Sequence, residues 1–75
     1  SGRFYVQVGS FAVAGNADSA RARLAAAGLP PATGRGTIKG KPVQVVHAGP
    51  FATAGQAQAA LAAARQSGFG DAFIR

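Results

Sequence analysis

An internal repeat limits the possible folds of this chain more than any other feature. When the sequence is shifted by 40 residues against itself, nine identities fall within the 23 positions 7–29. Alanine abundance inflates this number, but alanine content does not explain the paired glycines and phenylalanines, Gly9 with Gly49 and Phe11 with Phe51. Two copies are too few for a stacked solenoid. The repeat therefore predicts two similar supersecondary units that close around one shared core.

Each unit has the pattern of a strand followed by a helix. Alternating β-branched and aromatic residues predict strands over residues 4–8 and 43–48, each ended by a glycine. Small apolar residues at helical spacing predict helices over residues 14–27 and 54–66, each followed by a glycine suited to a left-handed C-cap. The sequence thus predicts two strand–helix units with small faces that can pack closely on a sheet.

The remaining segments complete the order βαββαβ. A short strand is predicted at residues 31–35, a basic glycine-rich connection at 34–42 and a last strand at 71–75. The expected fold is an α+β pseudo-two-fold repeat, with a four-stranded antiparallel sheet, two helices on one face and an open second face, as in RNP-like folds. We expect residues 1–75 to be one domain, cut from the C-terminal part of a longer protein, with Ser1 and Gly2 a cloning remnant.

Strand alternation predicts which side chains the open face carries. If Val6 and Val8 point into the core, their neighbours point away from it, and the 40-residue offset assigns the matching positions of the later strand. The open face is then expected to carry, with Ser10 at its edge, Tyr5, Gln7, Val43, Val45, His47 and Phe73. Polar and apolar groups are mixed there, which is typical of a binding face, although another part of a longer protein could instead cover it.

Composition narrows the classes of function. The formal net charge is +6, from eight Lys and Arg against two Asp, which favours an anionic partner. The chain has no cysteine, so it has no disulfide and no thiolate metal site, and it has no apolar run long enough to insert into a membrane. His47 with two carboxylates is the only available set of metal ligands, so neither a metal nor a cofactor is expected.

Nucleic-acid binding and catalysis are both poorly supported. An RNA-binding sheet of this kind needs aromatic residues on its third strand, and residues 43–48 contain none. Glycosidase chemistry needs a pair of carboxylates, which would require Asp18 to meet Asp71. Asp18 is better explained as a first-turn residue that complements a helix dipole, and Asp71 as a turn residue. A triad of Ser10, His47 and Asp71 can be written, but no spacing supports it.

The motifs VQVGSF at residues 6–11 and VHAGPF at 46–51, each followed by a helix, together with the terminal DAFIR, resemble the SPOR domain. This family is the sporulation-related repeat of bacterial envelope proteins, and the resemblance extends over residues 4–75. It implies the βαββαβ fold with an exposed sheet. It also implies binding to peptidoglycan, specifically to GlcNAc-MurNAc glycan strands stripped of stem peptides, which gather at the division septum. A periplasmic or cell-envelope location in a longer envelope protein would follow.

The resemblance also implies binding residues. The glutamine and serine of the family's first strand fall on Gln7 and Ser10, whose amide and hydroxyl suit sugar hydroxyls and N-acetyl groups. The apolar residue of the last strand falls on Phe73, whose ring could lie against a pyranose.

On the third strand this chain departs from the family, which often has arginine or a large aromatic residue there. Val45 and His47 stand in its place, and His47 could bond a sugar hydroxyl or, if protonated, the lactyl carboxylate of muramic acid. Arg35, or Lys39 and Lys41, would then supply the carboxylate contact. Tyr5 could stack at the sheet edge, whereas Phe11 and Phe51 are expected to be core residues.

The sequence thus predicts a non-catalytic, monomeric module that binds glycan. The alternative is a protein–protein interaction module that uses the same open face, and the sequence does not separate the two.

Overall fold

The computed structural model describes residues 3–75, and Ser1 and Gly2, the expected cloning remnant, lie outside the described residues. The elements follow the order βαββαβ. Their bounds are β1 Phe4–Phe11, α1 Ala14–Ala26, β2 Pro31–Ile38, β3 Lys41–Phe51, α2 Ala54–Gln66 and β4 Phe73–Ile74.

The four strands form one sheet with the order β2-β3-β1-β4. Each neighbouring pair is antiparallel, and the repeated strands β1 and β3 occupy the centre. Both helices contact these central strands, α1 mainly β3 and α2 mainly β1. The predicted α+β fold, with both helices on one face of a four-stranded antiparallel sheet, is confirmed.

The core lies between the sheet and the helices, and it is built largely from small residues. Its largest fully buried side chains are Leu24, Val6 and Val46. The helices contribute buried alanines at helical spacing, as the sequence predicted: Ala17, Ala20, Ala57, Ala60 and Ala64. Phe11 and Phe51 pack half-buried against this cluster, which confirms their expected place in the core. Small helix faces let both helices approach the sheet closely.

The helix ends follow the predicted chemistry. After α1 the amide of Leu29 donates to the carbonyl of Leu24 across Gly28, whose φ is 80°, and Gly68 ends α2 in the same way with a φ of 104°. Only glycine adopts this left-handed conformation without strain. The first turns differ, because Thr53 caps α2 by accepting from the amide of Gln56, whereas Val13 gives α1 no side-chain cap.

Strand β2 is longer than the sequence predicted. The segment 34–42 was expected to be a loop, yet Gly34, Gly36 and Ile38 all pair with β3. The true connection is the two-residue turn of Lys39 and Gly40, whose φ values are 52° and 78°. Two positive φ values match the tight turn that joins twisted antiparallel strands. The basic glycine-rich segment is therefore one arm of a hairpin.

Two further expectations are resolved by the described residues. Asp71 lies in a turn, as its residue type predicted, so the last strand, Phe73–Ile74, is shorter than the expected 71–75. The proposed role of Asp18 at the helix dipole is wrong, because the first turn of α1 has no acidic residue and Asp18 instead pairs with Arg21 one turn further along. Within residues 3–75, no helix is long and apolar enough to cross a membrane.

Candidate functional site on the open sheet face

One row of side chains crosses all four strands on the face without helices. Gln7 of β1 pairs with His47 of β3 on one side and with Phe73 of β4 on the other, and Ala32 of β2 continues the row beyond His47. Directly paired residues share one face of a sheet. This central row thus places an amide, an imidazole and a phenyl ring side by side, and Phe73 remains 48% exposed.

A β-bulge brings Ser10 onto the same face. Gln7 and Ser10 are three residues apart, so regular alternation would place them on opposite faces. However, β1 contains an extra residue between Gln7 and Gly9, and Ser10 then pairs with Val45. The bulge thus restores Ser10 to the open face, one row from His47. The local kink explains how both polar residues of the VQVGSF segment can reach one ligand.

Along β2 the open face carries only small residues from Ala32 to Gly36, and the larger Ile38, 50% exposed, follows at the hairpin end. Gly34 pairs with Val45 and Gly36 with Val43, so the valine methyl groups lie over glycine backbone that carries no side chain. A Cβ at Gly36 would lie 3.4 Å from a Cγ of Val45 and 3.6 Å from a Cγ of Val43. Val43 is buried by this arrangement, outside the main core cluster. These residues form a shallow apolar surface beside the central row.

His47 is the most constrained polar group of the face. Its ring contacts Tyr5 edge to face, with centroids 5.0 Å apart and planes at 89°. Its Nδ1 atom is buried and has no hydrogen-bond partner. Burial, and then the positive charge of Arg75, lower the pKa of His47 below its ordinary value. The imidazole is therefore neutral at neutral pH, which disfavours the expected contact of a protonated His47 with a carboxylate.

Sequence reasoning missed Arg75 as a member of this face. The backbone of Arg75 exchanges two hydrogen bonds with Tyr5, at 3.1 and 2.8 Å, and its Nη1 donates to Oε1 of Gln7 at 2.6 Å. Arg75 is two residues beyond Phe73, so strand alternation alone could have placed both on the same side. The contact with Gln7, by contrast, depends on strand pairing across 68 residues.

The other basic candidates are spread around the face. Arg35 pairs with Gln44, which accepts a hydrogen bond from Arg21 of α1, so this position belongs to the helix-covered side. Because β2 is an edge strand, Arg35 nevertheless also lines a hollow of about 360 Å³ on the open face. Lys41 pairs with Ile38 at the hairpin end, where Lys39 forms the turn, and both lysines line a second hollow beside Ser10.

Of the seven residues predicted to bind, the structure thus brings six together on the open face. They are Tyr5, Gln7, Ser10, Val45, His47 and Phe73. Arg35 alone is assigned by register to the other side. Among the described residues no group of three or more His, Asp or Glu side chains could hold a metal ion. The face therefore offers hydrogen bonding, apolar contact and positive charge.

Comparison with known proteins identifies the family to which this architecture belongs. Residues 1–75 match the SPOR domain. This chain belongs to the SPOR domain family.

Two solved structures are similar over nearly the whole chain. The first is the crystal structure of the RlpA SPOR domain from Pseudomonas aeruginosa, with a TM-score of 0.85, 22% identity and 96% of each chain covered. The second is the solution structure of the peptidoglycan binding domain of the B. subtilis cell wall lytic enzyme CwlC, with a TM-score of 0.73 and 32% identity over 100% of this chain and 90% of that one. Among curated proteins, none matches significantly.

Proposed function

We propose that this domain binds peptidoglycan through the open face of its sheet, and that its ligand is a glycan strand without stem peptides. The central row carries the proposal, because Gln7, His47 and Phe73 lie side by side across three strands. The similar domain of CwlC, 32% identical over this whole chain, is described as peptidoglycan binding.

The chemistry of the row suits a sugar. The amide of Gln7 and the hydroxyl of Ser10 both donate and accept hydrogen bonds, as sugar hydroxyls and N-acetyl groups require. The ring of Phe73, 48% exposed, offers a flat apolar surface for the C–H face of a pyranose. Sugar hydroxyls must lose water before they bind, so the affinity should be modest.

The domain acts as a targeting module and performs no catalysis. A monomer attached to an envelope protein would hold that protein on denuded strands at the division septum, in the periplasm or cell envelope. The net charge of +6 would assist the approach to anionic wall polymers through the long-range field.

The test is a pull-down with purified sacculi, either intact or treated with an amidase that removes stem peptides. The unmodified domain is compared with the Gln7→Ala/Phe73→Ala double variant. A matched control, Val13→Ala/Gln58→Ala, removes one apolar side chain at the N-cap of α1 and one polar side chain from an exposed position of α2. Since one hydrogen bond contributes about 0.5–1.5 kcal/mol and an aromatic contact a similar amount, the double variant should bind roughly tenfold more weakly.

Binding should rise after amidase treatment, fall in the folded double variant and stay unchanged in the control. Equal binding to both preparations would contradict the proposed preference for denuded strands. Absence of binding to either preparation would overturn the peptidoglycan proposal and leave a protein partner for the same face.

A further inference from the structure

A hollow of about 360 Å³ lies on the open face beside the central row. The residues that line it are Tyr5, Gly34, Arg35, Val45, His47 and Arg75. Its floor stays low because the position of Gly34 has no side chain, and a Cβ there would lie 3.9 Å from Cε1 of His47. The hollow is thus an open depression with polar groups along one wall.

Arg75 brings a positive charge to this wall that no acidic side chain neutralises. Asp18 and Asp71 are the only acidic residues of the chain, and the one ion pair among residues 3–75 joins Asp18 to Arg21. The backbone of Arg75 is fixed by its pairing with Tyr5, and one guanidinium N–H is directed to Gln7. A guanidinium has five N–H donors, so this arrangement leaves a fork available to an anion.

His47 adds a polar atom that lacks a partner. Its buried Nδ1 makes no hydrogen bond, although buried polar atoms are nearly always paired in folded proteins. The edge-to-face contact with Tyr5 fixes the ring orientation. Because Nδ1 is buried, a ligand in the hollow meets other atoms of the imidazole, while an acidic group of the same ligand can meet Arg75.

We propose that Arg75 is the specificity-determining residue of this face and that it binds the free lactyl carboxylate of muramic acid. The inference rests on the proposed function. In a denuded strand this carboxylate is a free anion, whereas in an intact strand it is amide-bonded to a stem peptide. A planar guanidinium forms paired, charge-assisted hydrogen bonds with a carboxylate and cannot form them with that amide.

The other basic residues fit this role less well. Arg35 also lines this hollow, but its pairing with Gln44 assigns its strand position to the helix-covered side. Lys39 and Lys41 lie at the hairpin end, beside a different hollow. Arg75 alone combines backbone pairing on the open face with a contact to Gln7 of the central row. The preference for denuded strands then has two causes. Their free carboxylate is attracted to Arg75, and they have no bulky stem peptide.

The experiment is a set of binding titrations with soluble denuded glycan oligomers in two forms, with free carboxylates or with the same groups converted to primary amides. The proteins are the unmodified domain, Arg75→Gln, Arg75→Lys and Arg21→Gln. Arg21→Gln is the matched control, since it removes the same charge from α1, on the helix-covered side of the sheet. An amide proton–nitrogen correlation spectrum of each protein tests whether it is folded.

The unmodified domain should lose about tenfold in affinity when the carboxylates become amides. Arg75→Gln should lose a similar factor for the carboxylate form and bind the amide form as the unmodified domain does. Arg75→Lys should recover part of the loss, and Arg21→Gln should bind both forms like the unmodified domain.

Three results would overturn the inference while leaving the proposed function intact. They are equal affinity of the unmodified domain for both forms, an equal loss for both forms in Arg75→Gln, and a loss confined to the carboxylate form in Arg21→Gln. A fourth arm uses strands that keep their stem peptides, whose own carboxylates could be the anion. A loss in Arg75→Gln on those strands would assign the contact to the peptide and overturn the inference. No binding of either oligomer would overturn the proposed function together with it.

Discussion

Leu24→Ala should destabilise this domain more than any other single truncation of a helix residue. Leu24 is fully buried and is the largest of the three big side chains at the centre of the core. Its neighbours on the helices are mainly alanines, which cannot extend to fill a cavity. Truncation of a buried leucine costs about 2–5 kcal/mol, and the alanine-rich surroundings favour the upper half of that range. A chain of this size has roughly 4–11 kcal/mol of stability to lose.

The assay is urea unfolding followed by circular dichroism, with Leu61→Ala as the matched control. Leu61 is half-buried on α2, so the same chemical change should cost about 1–2 kcal/mol there. Leu24→Ala should lower the free energy of unfolding by at least twice that amount with an unchanged urea dependence. A loss below about 1 kcal/mol, or one equal to that of Leu61→Ala, would refute the idea that a few large side chains stabilise an alanine-rich core.

Two further predictions concern titration and helix capping. Because the pKa of His47 is lowered in the folded domain, the unfolded chain binds more protons as the pH falls through the ordinary value. The free energy of unfolding should therefore decrease as the pH falls through about 6.5, and His47→Asn should remove that dependence in denaturant titrations at each pH. Thr53→Ala should cost about 1 kcal/mol, whereas Val13→Ser should stabilise α1 by up to about 1 kcal/mol, measured by thermal unfolding. A loss of stability in both variants, or in neither, would contradict the structural difference between the two helix starts.

The fold was predictable because the repeat, the strand alternation and the helix-ending glycines all agree. The extent of β2 was not, because Gly34 and Gly36 resemble loop residues when they are read alone. In the sheet they face Val45 and Val43, whose methyl groups occupy the space that glycine leaves. That compensation comes from a partner strand, and local propensity contains no information about it.

The candidate site was likewise predictable from the sequence only in part. Alternation placed Gln7, His47 and Phe73 on one face, and the pairing of β1 with β3 and β4 puts them in one row. The same alternation extended by two residues would have found Arg75. The hydrogen bond of Arg75 to Gln7 depends on tertiary pairing, and the position of Ser10 depends on a bulge that the sequence does not reveal.

The most direct test of the central claim is an amide chemical-shift titration of the domain with denuded glycan oligomers. If the open face binds the strand, the largest shift changes should fall on the central row and its neighbours, Gln7, Ser10, Val45, His47 and Phe73. The amides of exposed helix residues such as Asn16 and Gln58 should stay unchanged. Shift changes concentrated on the helices, or none at saturating oligomer, would contradict the claim that the open face of the sheet is the glycan-binding surface.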